Sequence, residues 1–155
     1  MRWQTFVCSC LVFSSSLWGA SFTVNTNADG GAGSLRKAIT DLNASSDAEN
    51  TITFNNRLAT ITLASDLPVI LNPVTINGSI TPQVIDGNGQ YRLIASTNTL
   101  SINRCTLQNG AAIGQNGIDG LQASGGGGGG LGAGGAIYIA AGQAATLSNI
   151  ILTPV

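Results

Sequence analysis

Leu100-Ser101-Ile102-Asn103-Arg104-Cys105-Thr106-Leu107 and Ala145-Thr146-Leu147-Ser148-Asn149-Ile150-Ile151-Leu152 carry the reading of the fold. In the first, Ile102, Cys105 and Leu107 stand 2, 5 and 7 residues after Leu100. In the second, Leu147, Ile150 and Leu152 stand at the same offsets from Ala145, 45 residues later. Upstream, Val74-Thr75-Ile76 precedes Leu100-Ser101-Ile102 by 26 residues. Apolar residues alternating with Ser, Thr and Asn describe short strands with one buried face. A period in the twenties is the signature of coiled β architectures. The 45-residue step fits one coil plus an insertion of about twenty residues at 108–133, which holds the glycine run. A β-sandwich and an up-and-down barrel are the other architectures open to many short strands. The expected fold is all-β: a right-handed parallel β-helix, or solenoid, of about three coils with a short N-terminal capping helix.

The rest of the chain is read outward from those segments. Strands are expected at Ser21–Asn25, Thr51–Phe54, Ala59–Leu63, Pro73–Ile76, Gln83–Ile85, Arg92–Ile94, Thr99–Asn103, Cys105–Leu107, Ala136–Ile139 and Ala145–Leu152. Turn pairs such as Asn77-Gly78, Asp86-Gly87 and Asn109-Gly110 separate them. Ser34–Asn43 is the convincing helix, because Leu35, Ala38, Ile39 and Leu42 share one face. Ser34 can cap it by accepting a backbone N–H bond. Placed before the first strand of the coils, it is expected to cover the first coil's open edge. Nothing similar follows Leu152, so the chain is expected to be the start of a longer passenger.

Composition excludes several functions. The 155 residues contain no histidine, and only 8% are charged, against roughly 25% in an ordinary soluble domain. The net charge is −1. A nucleic-acid partner is therefore not expected, since binding one needs a basic surface. A histidine general base or histidine-ligated metal is impossible. With 43% apolar residues, the chain is not of the highly charged disordered class.

Residues 1–20 read as a signal peptide, with Met1 and Arg2, an apolar stretch from Trp3 to Trp18, and small Gly19, Ala20 and Ser21. The stretch is shorter than the about 20 apolar residues that span a bilayer. Cleavage is expected after Gly19 or Ala20. Loss of Arg2 takes the net charge from −1 to −2, and loss of Cys8 and Cys10 leaves Cys105 alone. An internal disulfide is then excluded, and Cys105 reads as a small buried hydrophobe. The domain organisation is a signal peptide at 1–20, an N-terminal strand and capping helix at 21–50, and coils at 51–155 with the glycine-rich loop at 108–133.

Phe22-Thr23-Val24, Gly33-Ser34-Leu35-Arg36-Lys37-Ala38-Ile39 and Asn50-Thr51-Ile52-Thr53-Phe54 resemble the opening module of bacterial surface β-helix proteins. Thr60–Leu63, Val74–Gly78 and Val84–Gly87 continue the resemblance. Gly134-Gly135-Ala136-Ile137 and Ala145-Thr146-Leu147-Ser148-Asn149 are similar to repeats of polymorphic outer membrane proteins and autotransporter passengers. The resemblance covers residues 21–153. It implies an exported, surface-exposed adhesin or passenger that meets a host-cell surface receptor or a glycan. A C-terminal β-barrel anchor does not fit within these residues, because it needs many alternating strands of about ten residues. Outer-membrane association then depends on downstream sequence or a partner.

An enzyme reading depends on the acids. The segment Val84–Tyr91 resembles a strand and turn of polygalacturonase-type glycosidases. Hydrolysis needs two carboxylates flanking the scissile bond; a lyase needs clustered acids for Ca²⁺ and a base. The acids are Asp29, Asp41, Asp47, Glu49, Asp66, Asp86 and Asp119, and only Asp47 and Glu49 are close in sequence. Asp86 reads as a turn residue, with Arg92 the one basic candidate near it. The Gly130–Gly135 match to a dinucleotide fingerprint lacks the preceding strand, following helix and later acid. Calcium-binding glycine repeats need recurring Asp, and only Asp119 is near. No catalytic residue, cofactor or metal ligand is assigned. The expected function is that of a cell-surface structural or adhesive module. The alternatives are a pectinase-like enzyme fragment and a truncated secreted solenoid without activity.

Overall fold

The structure, a computed structural model, describes residues 19–56, 58–113 and 134–153. Most of the expected signal peptide and of the glycine-rich insertion therefore lies outside the described residues. The first strand, β1 (Ala20–Val24), leads into the helix α1 (Leu35–Ala44). Then follow β2 (Asn50–Phe54), β3 (Ile61–Thr62), β4 (Val74–Asn77), β5 (Gln83–Asp86) and β6 (Ile94–Ser96). After them come β7 (Leu100–Asn103), β8 (Cys105–Gln108), β9 (Ile137–Ile139), β10 (Ala145–Ser148) and β11 (Ile151–Thr153).

All named strand pairs are parallel. They form a five-stranded sheet in the order β1-β2-β4-β7-β10, a four-stranded sheet β11-β8-β5-β3, and a pair β6-β9. The offsets read from the sequence are real pairings: Ile76 lies opposite Ile102, 26 residues on, and Ile102 opposite Leu147, 45 residues on. The all-β parallel β-helix expectation is corrected. Among the described residues the architecture is α/β-like, with three separate parallel sheets and one helix, and no sheet closes on itself or winds as a solenoid. An offset states which strands lie side by side. It does not state how the sheets join, which depends on the backbone between strands.

Several of those joints use the left-handed region. Arg104, between β7 and β8, has φ 54°, and Asn149, between β10 and β11, has φ 53°. A non-glycine residue there is uncommon, and Asn tolerates it best. Gly78, after β4, serves a different need: a Cβ there would stand 1.7 Å from the Arg104 carbonyl oxygen. The backbones meet so closely that only glycine fits.

Alternation fills the core. In the five-stranded sheet Ile52, Ile76 and Ile102 form an inward row, each at most 1% exposed. In the four-stranded sheet Ile61, Ile85 and Leu107 do the same. Leu35, Ala38, Ile39 and Leu42 of α1 join them in one apolar core. Ser34 caps α1 as expected, its Oγ accepting from the Lys37 N–H at 3.2 Å. α1 packs on β1 and is tied to segment 65–72. Arg36 Nη1 donates to the Asp66 carbonyl (2.6 Å) and Nη2 to that of Ser65 (2.9 Å). Asn43 Nδ2 donates to the Val69 carbonyl (2.7 Å), and its Oδ1 accepts from the Leu71 N–H (2.9 Å). Asn72 Nδ2 reaches back to the carbonyls of Leu42 and Ser45.

Candidate functional site

The outward face of the five-stranded sheet is the most regular feature of the surface. Strand side chains alternate between faces, so the residues between the buried ones point outward. Register aligns them into two rows. One row is Ser21, Thr51, Thr75, Ser101 and Thr146; the other is Thr23, Thr53, Asn77, Asn103 and Ser148. Every member is a hydroxyl or a carboxamide, and none is charged. Neighbouring strands lie about 4.8 Å apart, so hydroxyls and amides recur at that step across the face. Thr23 and Thr53 share a hydrogen bond of 3.5 Å, and Asn149 Nδ2 donates to Asn103 Oδ1 at 3.2 Å.

A shallow depression of about 250 Å³ lies at one end of this face, lined in part by Glu49, Asn50, Thr51, Thr75, Thr99 and Ser101. Asn50 is 3% exposed. Its Nδ2 donates to the carbonyls of Asp47 and Pro73 at 3.1 and 3.2 Å. Its Oδ1 is buried with no partner among the described residues. A buried acceptor left unpaired costs about 1–3 kcal/mol.

Five of the described acids are held by structural partners. Asp29 accepts from Arg36 Nη2 at 2.7 Å, and Lys37 Nζ pairs with Asp41 at 2.5 Å. Asp66 Oδ1 accepts the Arg92 N–H at 2.7 Å. Asp47 accepts from the Ser45 hydroxyl at 3.0 Å. Asp86 closes its own turn, Oδ1 accepting from the Asn88 N–H at 2.8 Å and from Asn109 Nδ2 at 3.1 Å. Its Oδ2 accepts from Gln108 Nε2 at 2.8 Å. Burial pushes the Asp86 carboxyl up, but the bonds from Gln108, Asn88 and Asn109 outweigh it and hold it below its ordinary value. Asp119 lies outside the described residues, as does most of the Gly130–Gly135 stretch. Among the described residues no three of His, Cys, Asp and Glu cluster as metal ligands would.

Arg92 is held by other groups than Asp86. Its Nε donates to the Gly134 carbonyl at 3.0 Å, and its guanidinium lies 5.2 Å from the centre of the Tyr138 ring. Cys105 is fully buried in the core, and burial pushes its thiol up to about 11 against a smaller lowering by the Gly78 N–H. The unpaired oxygen of Asn50 had no sequence signal, because an Asn beginning a strand reads as ordinary turn chemistry. The chain formed by Asp29, Arg36, Asp66 and Arg92 was equally silent, being spread over 64 residues. No protein-family model, curated protein or solved structure matches this chain.

Proposed function

We propose that the chain is an exported cell-surface module with a structural or adhesive role, acting by binding and not by catalysis. The observation that carries this is the pair of uncharged polar rows spanning five strands in register. A broad sheet face of recurring donors and acceptors suits contact with a hydroxyl-rich glycan or a polar receptor surface. Such contacts give many modest hydrogen bonds, each worth about 0.5–1.5 kcal/mol. Five acids held in ion pairs, turns and loop bonds support the non-catalytic part of the reading.

The test uses the chain as secreted by a bacterial host, labelled and applied to host-type cells and to an array of glycans. Binding should fall at least tenfold in a Thr75→Lys/Asn103→Lys variant, which places charges in both rows without touching the core. Absence of binding to any cell or glycan, or unchanged binding by the variant, refutes the reading.

A further inference from the structure

Three Asn-Gly pairs lie among the described residues: Asn77-Gly78, Asn88-Gly89 and Asn109-Gly110. A fourth, Asn116-Gly117, lies outside them. An asparagine followed by glycine can close on its own main chain, because the next residue has no Cβ to obstruct the attack. The glycine nitrogen bonds to the asparagine Cγ, the Cγ–Nδ2 bond breaks, and ammonia leaves with the proton of the glycine N–H. One water then opens the cyclic imide at either carbonyl, which leaves aspartate or isoaspartate. The step needs a carboxamide free to turn and a glycine nitrogen free to meet it.

The fold treats the three pairs differently. The Gly78 N–H donates to the Asn103 carbonyl at 2.7 Å, and the Gly78 backbone is pressed on the Arg104 carbonyl. Its nitrogen cannot turn toward the Asn77 side chain without parting β4 from β7. At the third pair the carboxamide is held: Asn109 Nδ2 donates to Asp86 Oδ1 at 3.1 Å, and a charged acceptor makes a strong bond. Gly110 is also confined, since a Cβ there would stand 2.7 Å from the Gly135 carbonyl oxygen. Asn88 is exposed on its turn, and its carboxamide makes no hydrogen bond among the described residues. The Gly89 nitrogen is held by a single bond, to the Asn109 carbonyl at 2.8 Å. We propose that Asn88 is the deamidation site of the folded chain, and that the fold shields Asn77 and Asn109. The product sets a second carboxylate two residues from Asp86. Isoaspartate also lengthens the main chain by one atom before Gly89, so the Gly89–Asn109 bond is lost and the turn after β5 loosens from the turn after β8. This chemistry does not depend on what the polar sheet face binds.

The test ages the purified full chain in mildly alkaline buffer at body temperature, once folded and once in urea, and follows each asparagine by mass spectrometry of tryptic peptides. Residues 58–92 form one such peptide, which holds both Asn77 and Asn88. Electron-transfer fragmentation separates the two positions and tells aspartate from isoaspartate. In the folded chain, residue 88 should convert at least tenfold faster than residue 77 or 109. In urea the three should convert at similar rates, because the neighbours that distinguish them are gone. Conversion led by residue 77 or 109, equal rates at all three in the folded chain, an unconverted Asn88 when the unfolded chain has turned over, or a gap in urea as wide as in the folded chain each overturns the proposal.

Discussion

Asp86 shows how one residue can be assigned by its partners. Its carboxylate accepts three hydrogen bonds, from Asn88, Gln108 and Asn109, which join its own turn to the end of the neighbouring strand β8 and the turn after it. Bonds to a charged acceptor are stronger than neutral ones. The folded pKa is lowered, so the stabilisation is present above the unfolded value of about 3.9 and is lost as pH falls through the folded pKa. Asp86→Asn should cost about 1 kcal/mol at pH 7. Urea denaturation midpoints of parent and variant should differ at pH 7 and converge in strong acid. A gap of equal size at both pH values would remove the charge from the explanation. Its sequence neighbour in the enzyme reading, Arg92, is drawn instead to Gly134 and Tyr138.

At the scale of elements, α1 depends on one side chain more than on its own propensity. Arg36 reaches Asp29 in the loop before the helix and the carbonyls of Ser65 and Asp66 beyond it. A planar guanidinium can serve all of these at once, whereas a lysine ammonium is a single point of charge. Arg36→Ala should lower stability by about 2 kcal/mol. Arg36→Lys should recover less than half of that, as read from thermal denaturation. Full recovery by lysine would mean that the charge, not the fork, matters. Much of this level was legible in the sequence. The Ser34 cap, the apolar face of α1 and the strands β4, β7 and β8 follow from local periodicity and turn chemistry. The stretch Ala145–Leu152 reads as one strand but forms two, because Asn149 turns left-handed between them. Strand β6 lies at Ile94–Ser96 and not at Arg92–Ile94, since Ser96 is buried by bonds to Ile70 and Asn98 that no propensity reports. The partition into three separate sheets was not legible, because Arg104 carries no mark of its left-handed backbone.

Across the whole molecule, one apolar core joins the helix and the interior strands, while the last strands stand outside it. β4 and β7 are flanked on both sides in their sheet, and β5 and β8 likewise in theirs. Their inward residues Val74, Ile76, Ile85, Leu100, Ile102, Cys105 and Leu107 are at most 5% exposed. β10 and β11 have one neighbour each, and all their residues are exposed. Local opening should therefore start at β10 and β11 and leave the rest intact, since little apolar burial opposes it. The uncharged face spans both regimes, because its rows run from β1 across the interior strands to β10. Hydrogen exchange at the lowest workable concentration should show β10 and β11 amides exchanging at least about a hundredfold faster than those of β4 and β7. Equal protection there would mean that the tail opens only with the core. The last step of the polar rows, at Thr146 and Ser148, would then be as fixed as the middle.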